Sequence, residues 1–143
     1  MLVSRILKDK GDLVFTASPN DTISAAAALL QSRRVGSMVV VDEGGVVVGV
    51  LSERDIVRAV AEMGAAGMSR PVADWMNRDV VFASPTEAVQ ALLERMTNHR
   101  TRHLPVIKDG RLVGIVSIGD LVKSKIAETE AEAEGLKAYI SSG

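Results

Sequence analysis

Two short stretches carry the residues best suited to hold a polar ligand. Gly49 to Asp55 reads Gly-Val-Leu-Ser-Glu-Arg-Asp, and Gly114 to Asp120 reads Gly-Ile-Val-Ser-Ile-Gly-Asp, 65 residues further on. In both, an apolar run leads through Ser-x-x-Asp into Ile56 and Val57 or Leu121 and Val122. The pattern is a strand that ends at a helix start. Two chemistries fit Ser52 with Asp55, and Ser117 with Asp120. One is local: a hydroxyl takes a backbone N–H and a carboxylate favours the positive end of the helix. The other is recognition: an exposed helix N-terminus offers N–H donors to a phosphate, and a carboxylate accepts hydrogen bonds from ribose hydroxyls.

Other chemistries find less material. His99 and His103 are four apart, but the pattern puts one at a helix end and the other at a strand start, and no acidic residue joins them nearby. No nucleophile, base and orienting group stand together, so the chain reads as a binding protein and not an enzyme, with no metal. It has no cysteine, hence no disulfide, thiolate metal site or cysteine nucleophile. Its 17 basic and 18 acidic residues nearly cancel, which argues against a nucleic-acid surface. No run approaches 18 apolar residues, and the charged N-terminal stretch does not read as a signal peptide, so the expectation is a cytoplasmic protein off the membrane.

The elements that position the two joints are themselves repeated. Ser18-Pro19 returns as Ser84-Pro85. Ile23, Ala26, Ala27 and Leu30 return as Val89, Leu92, Leu93 and Met96, each set with the spacing of one apolar helix face. Met38 to Val41 and Leu104 to Ile107 read as strands. Asp42-Glu43-Gly44-Gly45 and Lys108-Asp109-Gly110 then turn the chain into Val46–Leu51 and Leu112–Val116. The first turn is one residue longer. Upstream, Ile6-Leu7 aligns with Trp75-Met76 and Val14-Phe15 with Val80-Val81, with three extra residues in copy one around Lys8 to Asp12. Each unit therefore reads helix, strand, helix, strand, strand, helix. Residues 1–62 and 72–125 form the two repeats, and 63–71 link them. Residues 126–143 form a C-terminal helix, where Val122, Ile126, Thr129, Ala133, Leu136 and Ile140 give a short heptad-like seam flanked by Glu128, Glu130, Glu132 and Glu134. Such a seam packs either on another subunit or back on its own domain.

This order, closed twice by Gly-h-h-Ser-x-x-Asp, resembles the cystathionine β-synthase-type (CBS) domain, and the tandem resembles the CBS pair, or Bateman module, of small stand-alone bacterial-type proteins. The second copy matches best, through Arg102-His103-Leu104-Pro105-Val106, Asp109-Gly110 and Leu112 to Ser117 with Asp120; Gly36-Ser37-Met38-Val39-Val40 stands in the first copy. The resemblance implies an α/β (α+β) fold of two β-α-β-β-α repeats in a pseudo-twofold pair, with clefts between them for adenosine ligands: AMP first, or ADP, ATP, NAD or S-adenosylmethionine. It implies ligand contacts from Thr16, Ser37, Ser52 and Asp55 in copy one, and from Arg102, His103, Ser117 and Asp120 in copy two. Arg102 suits phosphate because its charge is permanent and its donors form a planar fork. Trp75 reads as core or interface.

The functional expectation is a regulatory nucleotide sensor that acts as a homodimer and signals to a protein partner. The alternative is a constitutive interaction module whose clefts are vestigial.

Overall fold

The computed structural model describes residues 1–10 and 14–142. Among these residues the α-helices and strands follow in the order α1 (Val3–Lys10), β1 (Thr16–Ala17), α2 (Ile23–Arg33), β2 (Ser37–Val41), β3 (Val47–Ser52), α3 (Glu53–Met63), α4 (Val89–His99), β4 (His103–Lys108), β5 (Arg111–Ser117) and α5 (Ile118–Ser142). Two short 3₁₀ turns, Gly64–Ser69 and Val72–Asp74, lie between α3 and α4. The α/β class expected from the repeats is the class observed. The extra residues expected around Lys8 to Asp12 lie partly outside the described residues.

The chain forms two compact bodies. One holds Val14–Val80 with Asp109–Leu112; the other holds the described residues up to Lys10, Val81–Lys108 and the described residues from Val113 onward. In the first body, β1 runs parallel to β2 and β2 antiparallel to β3, with Ser37 opposite Ser52 and an irregularity between Val40 and Val41. Ile23, Ala26 and Leu30 of α2 pack on Met38, Val40 and Leu51. Thr22 caps α2 by accepting from the Ala25 N–H. In the second body β4 pairs with β5, and Val89, Leu92 and Met96 of α4 pack with Leu104, Val106 and Val116. The helix periodicity read from the sequence thus names the buried face of both repeats.

Leader segments sit with the other repeat. Val3 and Ile6 of α1 join the core of the second body, and Val72 and Met76 join that of the first. Two glycines record this. A Cβ on Gly114 would come within 2.5 Å of Leu7 Cδ2, and one on Gly49 within 2.7 Å of Met76 Sδ. Each joint strand therefore carries glycine where a leader side chain presses on its backbone.

The regular reading is modified in three places. Copy two has no first strand, only a parallel bridge between Ala83 and Val106. The segment expected as a helix near Trp75 is the 3₁₀ turn Val72–Asp74. The stretch after α3 is also wound as a 3₁₀ turn, with Gly67 buried so tightly that a Cβ would lie 2.5 Å from Ala59 O. The β4–β5 turn has positive φ at Asp109 (54°) and Gly110 (79°), as a two-residue hairpin of this hand needs.

Candidate functional site

Each body gathers its expected ligand residues at one end of its strands. In the first body β1 and β2 begin, and β3 ends, at the same edge. Thr16 lies there beside Val39, Ser37 lies opposite Ser52, and α3 starts immediately after. The Glu53 N–H donates to Gly36 O at 3.0 Å and locks the β2 start to the α3 start. The second body repeats the lock: the Ile118 N–H donates to Arg102 O at 2.8 Å. Arg102 and His103 are thereby held across from Ser117 and Asp120. The eight residues thus form two groups of four: Thr16, Ser37, Ser52 and Asp55 in one body, and Arg102, His103, Ser117 and Asp120 in the other.

The local chemistry of the joints is capping. The Ser52 N–H donates to Asp55 Oδ2 at 2.8 Å, and Asp55 N–H donates to Ser52 Oγ at 3.3 Å. The Ser52 hydroxyl also donates to Asp55 Oδ2 at 3.0 Å. Ser117 N–H and Asp120 Oδ2 are 2.9 Å apart, and Asp120 N–H donates to Ser117 Oγ at 3.1 Å. All four residues are half-buried. Capping does not exclude a ligand, because a carboxylate has about four lone-pair sites.

The copies differ in charge. Arg58, which the sequence reading passed over, donates from Nη2 to Asp55 Oδ1 at 3.0 Å and to Trp75 O at 3.3 Å. Its guanidinium lies 5.7 Å from the Trp75 ring centroid. The clue in the sequence was the Asp55-x-x-Arg58 spacing, which puts both on one helix face. Trp75 is half-buried against the first core, and no described group accepts from its buried Nε1. In copy two Arg102 and His103 are both exposed, and the Arg102 guanidinium has no partner among the described residues. Copy one thus pairs its joint acid with Arg58, and copy two carries the exposed Arg102 beside its joint. His99 ends α4 and His103 begins β4, as the spacing predicts. Among the described residues no group of three or more His, Cys, Asp or Glu could hold a metal.

A second pair found only in the structure steadies the turn before α4. Arg95 Nη1 donates to Glu87 Oε1 at 2.9 Å and to Phe82 O at 2.9 Å, while Glu87 Oε1 accepts from the Ser84 N–H at 2.9 Å. The hydrogen bond from Arg95, helped by that of Ser84 and by the Arg95 charge, holds the Glu87 carboxyl below its ordinary range against a smaller opposing effect of burial. A hollow of about 440 Å³ is lined by Met1, Leu2, Ser4, Arg5 and Glu128 and includes none of the eight residues.

A family model for the CBS domain matches residues 11–62 and 72–126, so each match ends just beyond one Ser-x-x-Asp helix start. The chain belongs to the CBS domain family. It is 36% identical over 118 residues to the CBS domain-containing protein YhcV of Bacillus subtilis, covering 82% of this chain and 83% of that one. A CBS-domain protein from Agrobacterium tumefaciens, ATU1752, superposes with a TM-score of 0.79 at 43% identity, over 87% of this chain and 92% of that one. The CBS domain pair of protein MJ0100, solved in complex with 5′-methylthioadenosine and S-adenosyl-L-methionine, superposes with a TM-score of 0.76 at 29% identity, over 90% and 98% of the two chains. The tandem read from the sequence is therefore a CBS pair.

Proposed function

We propose that this CBS pair is a regulatory module that binds an adenosine nucleotide, AMP first among them, at its strand-to-helix joints. It acts as a homodimer in the cytoplasm and passes the ligand level to a protein partner. The observation that carries the reading is the second joint. There an exposed Arg102 and His103 are held by the Arg102 backbone lock opposite Ser117, Asp120 and the N-terminus of α5. Asp120 would take ribose hydroxyls, and Arg102 with the helix N–H groups would take phosphate. The adenosine ligands of the MJ0100 pair support the ligand class. Thr16, Ser37, Ser52 and Asp55 would form the corresponding first site. Arg58 already holds Asp55 there, so that site is assigned the weaker affinity for phosphate.

Binding requires no covalent chemistry, and regulation is the role assigned here instead of catalysis. A ligand can shift a conformational equilibrium only as far as it prefers one state. The test is a thermal melt with AMP, ADP, ATP, NAD and S-adenosylmethionine. At a hundredfold excess over its dissociation constant, a ligand should stabilise the fold by about 2.7 kcal/mol, or raise Tm by roughly 5–10 °C. No shift with any of the five at millimolar concentration, and no adenosine compound released from the purified protein, would leave the constitutive interaction module as the better reading.

A further inference from the structure

The heptad seam of α5 does not pack on its own body. Leu121 and Ser124 are 0% and 8% exposed and Glu128 is half-buried, so these residues form the face that α5 turns inward. The seam lies about 130° further round the axis. Val122, Ile126, Leu136 and Ile140 are 43%, 53%, 60% and 67% exposed, and Thr129 and Ala133 between them are exposed too. From Thr129 to Ser141 every residue of the helix is exposed. An apolar stripe of this length needs a cover, and the charges beside it specify one.

We infer that α5 pairs with α5 of a second copy as a short parallel, in-register, two-stranded coiled coil. The inference rests on the homodimer proposed above and deepens it. In heptad terms Ile126, Ala133 and Ile140 take the a positions, and Val122, Thr129 and Leu136 the d positions. Ile126 and Ile140 at a with Leu136 at d favour two parallel strands, while Val122, Thr129 and Ala133 leave the orientation to the flanking charges. Lys125, Glu132 and Tyr139 then fall at g, and Lys123, Glu130 and Lys137 at e. In a parallel pair each g faces the following e of its partner, so Lys125 meets Glu130 and Glu132 meets Lys137. Both of these contacts are between opposite charges. An antiparallel pair centred on the same seam would instead set Glu130 against Glu130, Glu132 against Glu132 and Lys123 against Lys137, all like-charged. Lys137 Nζ already lies 3.8 Å from Glu134 Oε1 on its own helix, an exposed contact that a cross-helix glutamate can share.

The absence of cysteine makes the test direct. The full chain carrying Leu136→Cys is oxidised at micromolar concentration, beside Ile140→Cys and an equimolar mixture of Ile126→Cys with Leu136→Cys. Sedimentation of the wild type and melts of each variant accompany the gels. A parallel pair gives covalent dimers from Leu136→Cys and Ile140→Cys alone. Glu130→Lys with Glu132→Lys should weaken association about tenfold or more at low salt and less at high salt, and adding Lys125→Glu with Lys137→Glu should restore it. A dimer that cross-links only in the mixture is antiparallel and overturns the inference. A dimer that cross-links in none of them is held elsewhere, which overturns the inference but leaves the homodimer intact. A wild-type monomer removes both, and recovery of the tail only with a different protein would do the same.

Discussion

Asp120 performs two jobs in this account, and its variants separate them. Asp120→Asn keeps the size and some capping ability while removing the charge. Charge-assisted hydrogen bonds contribute about 1.5–3 kcal/mol, so nucleotide affinity should fall roughly 10- to 150-fold. Stability should fall by at most about 1 kcal/mol. If Asp120 only caps, the pattern inverts: the melt drops and binding holds. Arg102→Ala should weaken AMP far more than adenosine, and calorimetric titration of both ligands checks it; equal losses would take Arg102 out of the phosphate site. Glu87 offers a different residue-scale test. Its folded carboxyl is held below the ordinary range by Arg95, so its contribution to stability is full above the unfolded value and is lost as pH falls through the folded one. Glu87→Gln should therefore cost about 1–2 kcal/mol at neutral pH. The gap to wild type should begin to narrow as pH falls past the unfolded glutamate value, about 4.3, and close once pH is below the lower folded value, in melts across a pH series; a gap that persists in strong acid would deny the pair its role. The Ser-x-x-Asp joints were legible in the sequence because both partners lie within one turn. The Glu87–Arg95 pair was not, since its partners are eight residues apart and face each other only once α4 has docked.

At the scale of elements, the repeat was readable wherever burial imposes a period. The α2 and α4 faces, the two hairpins and the joint strands all follow from apolar spacing and turn residues. The leader segments were legible as aligned residues, Leu7 with Met76, but not in their destination. Only the fold shows that each leans on the glycine of the opposite repeat's joint strand. The missing first strand of copy two escaped the reading because a single bridge at Ala83 and a short strand at Thr16–Ala17 leave nearly the same sequence trace. For α5 the sequence showed the seam, and the structure chose which face turns inward. Gly135 lies inside that continuous helix, with nothing within 4 Å of a Cβ. Gly135→Ala should add about 0.8–1 kcal/mol of helix stability per chain. It should also tighten a paired tail, raising both helical circular dichroism and Tm; a neutral or lowered Tm would show that the helix is broken there in solution.

At the scale of the whole molecule, no helix among the described residues is long and apolar enough to cross a membrane. The CBS assignment rests on matches that span both repeats, whereas the ligand rests on one charged joint and on the adenosine compounds of a relative. The central claim is that this chain binds an adenosine nucleotide at those joints. The most direct measurement is an isothermal titration of the purified wild-type chain, stripped of co-purifying small molecules, with AMP and then with adenosine. AMP should bind saturably at no more than two sites per chain, with adenosine at least about tenfold weaker because it lacks the phosphate that Arg102 is proposed to meet. The absence of saturable heat with AMP, repeated with ADP, ATP, NAD and S-adenosylmethionine at millimolar concentration, would contradict it.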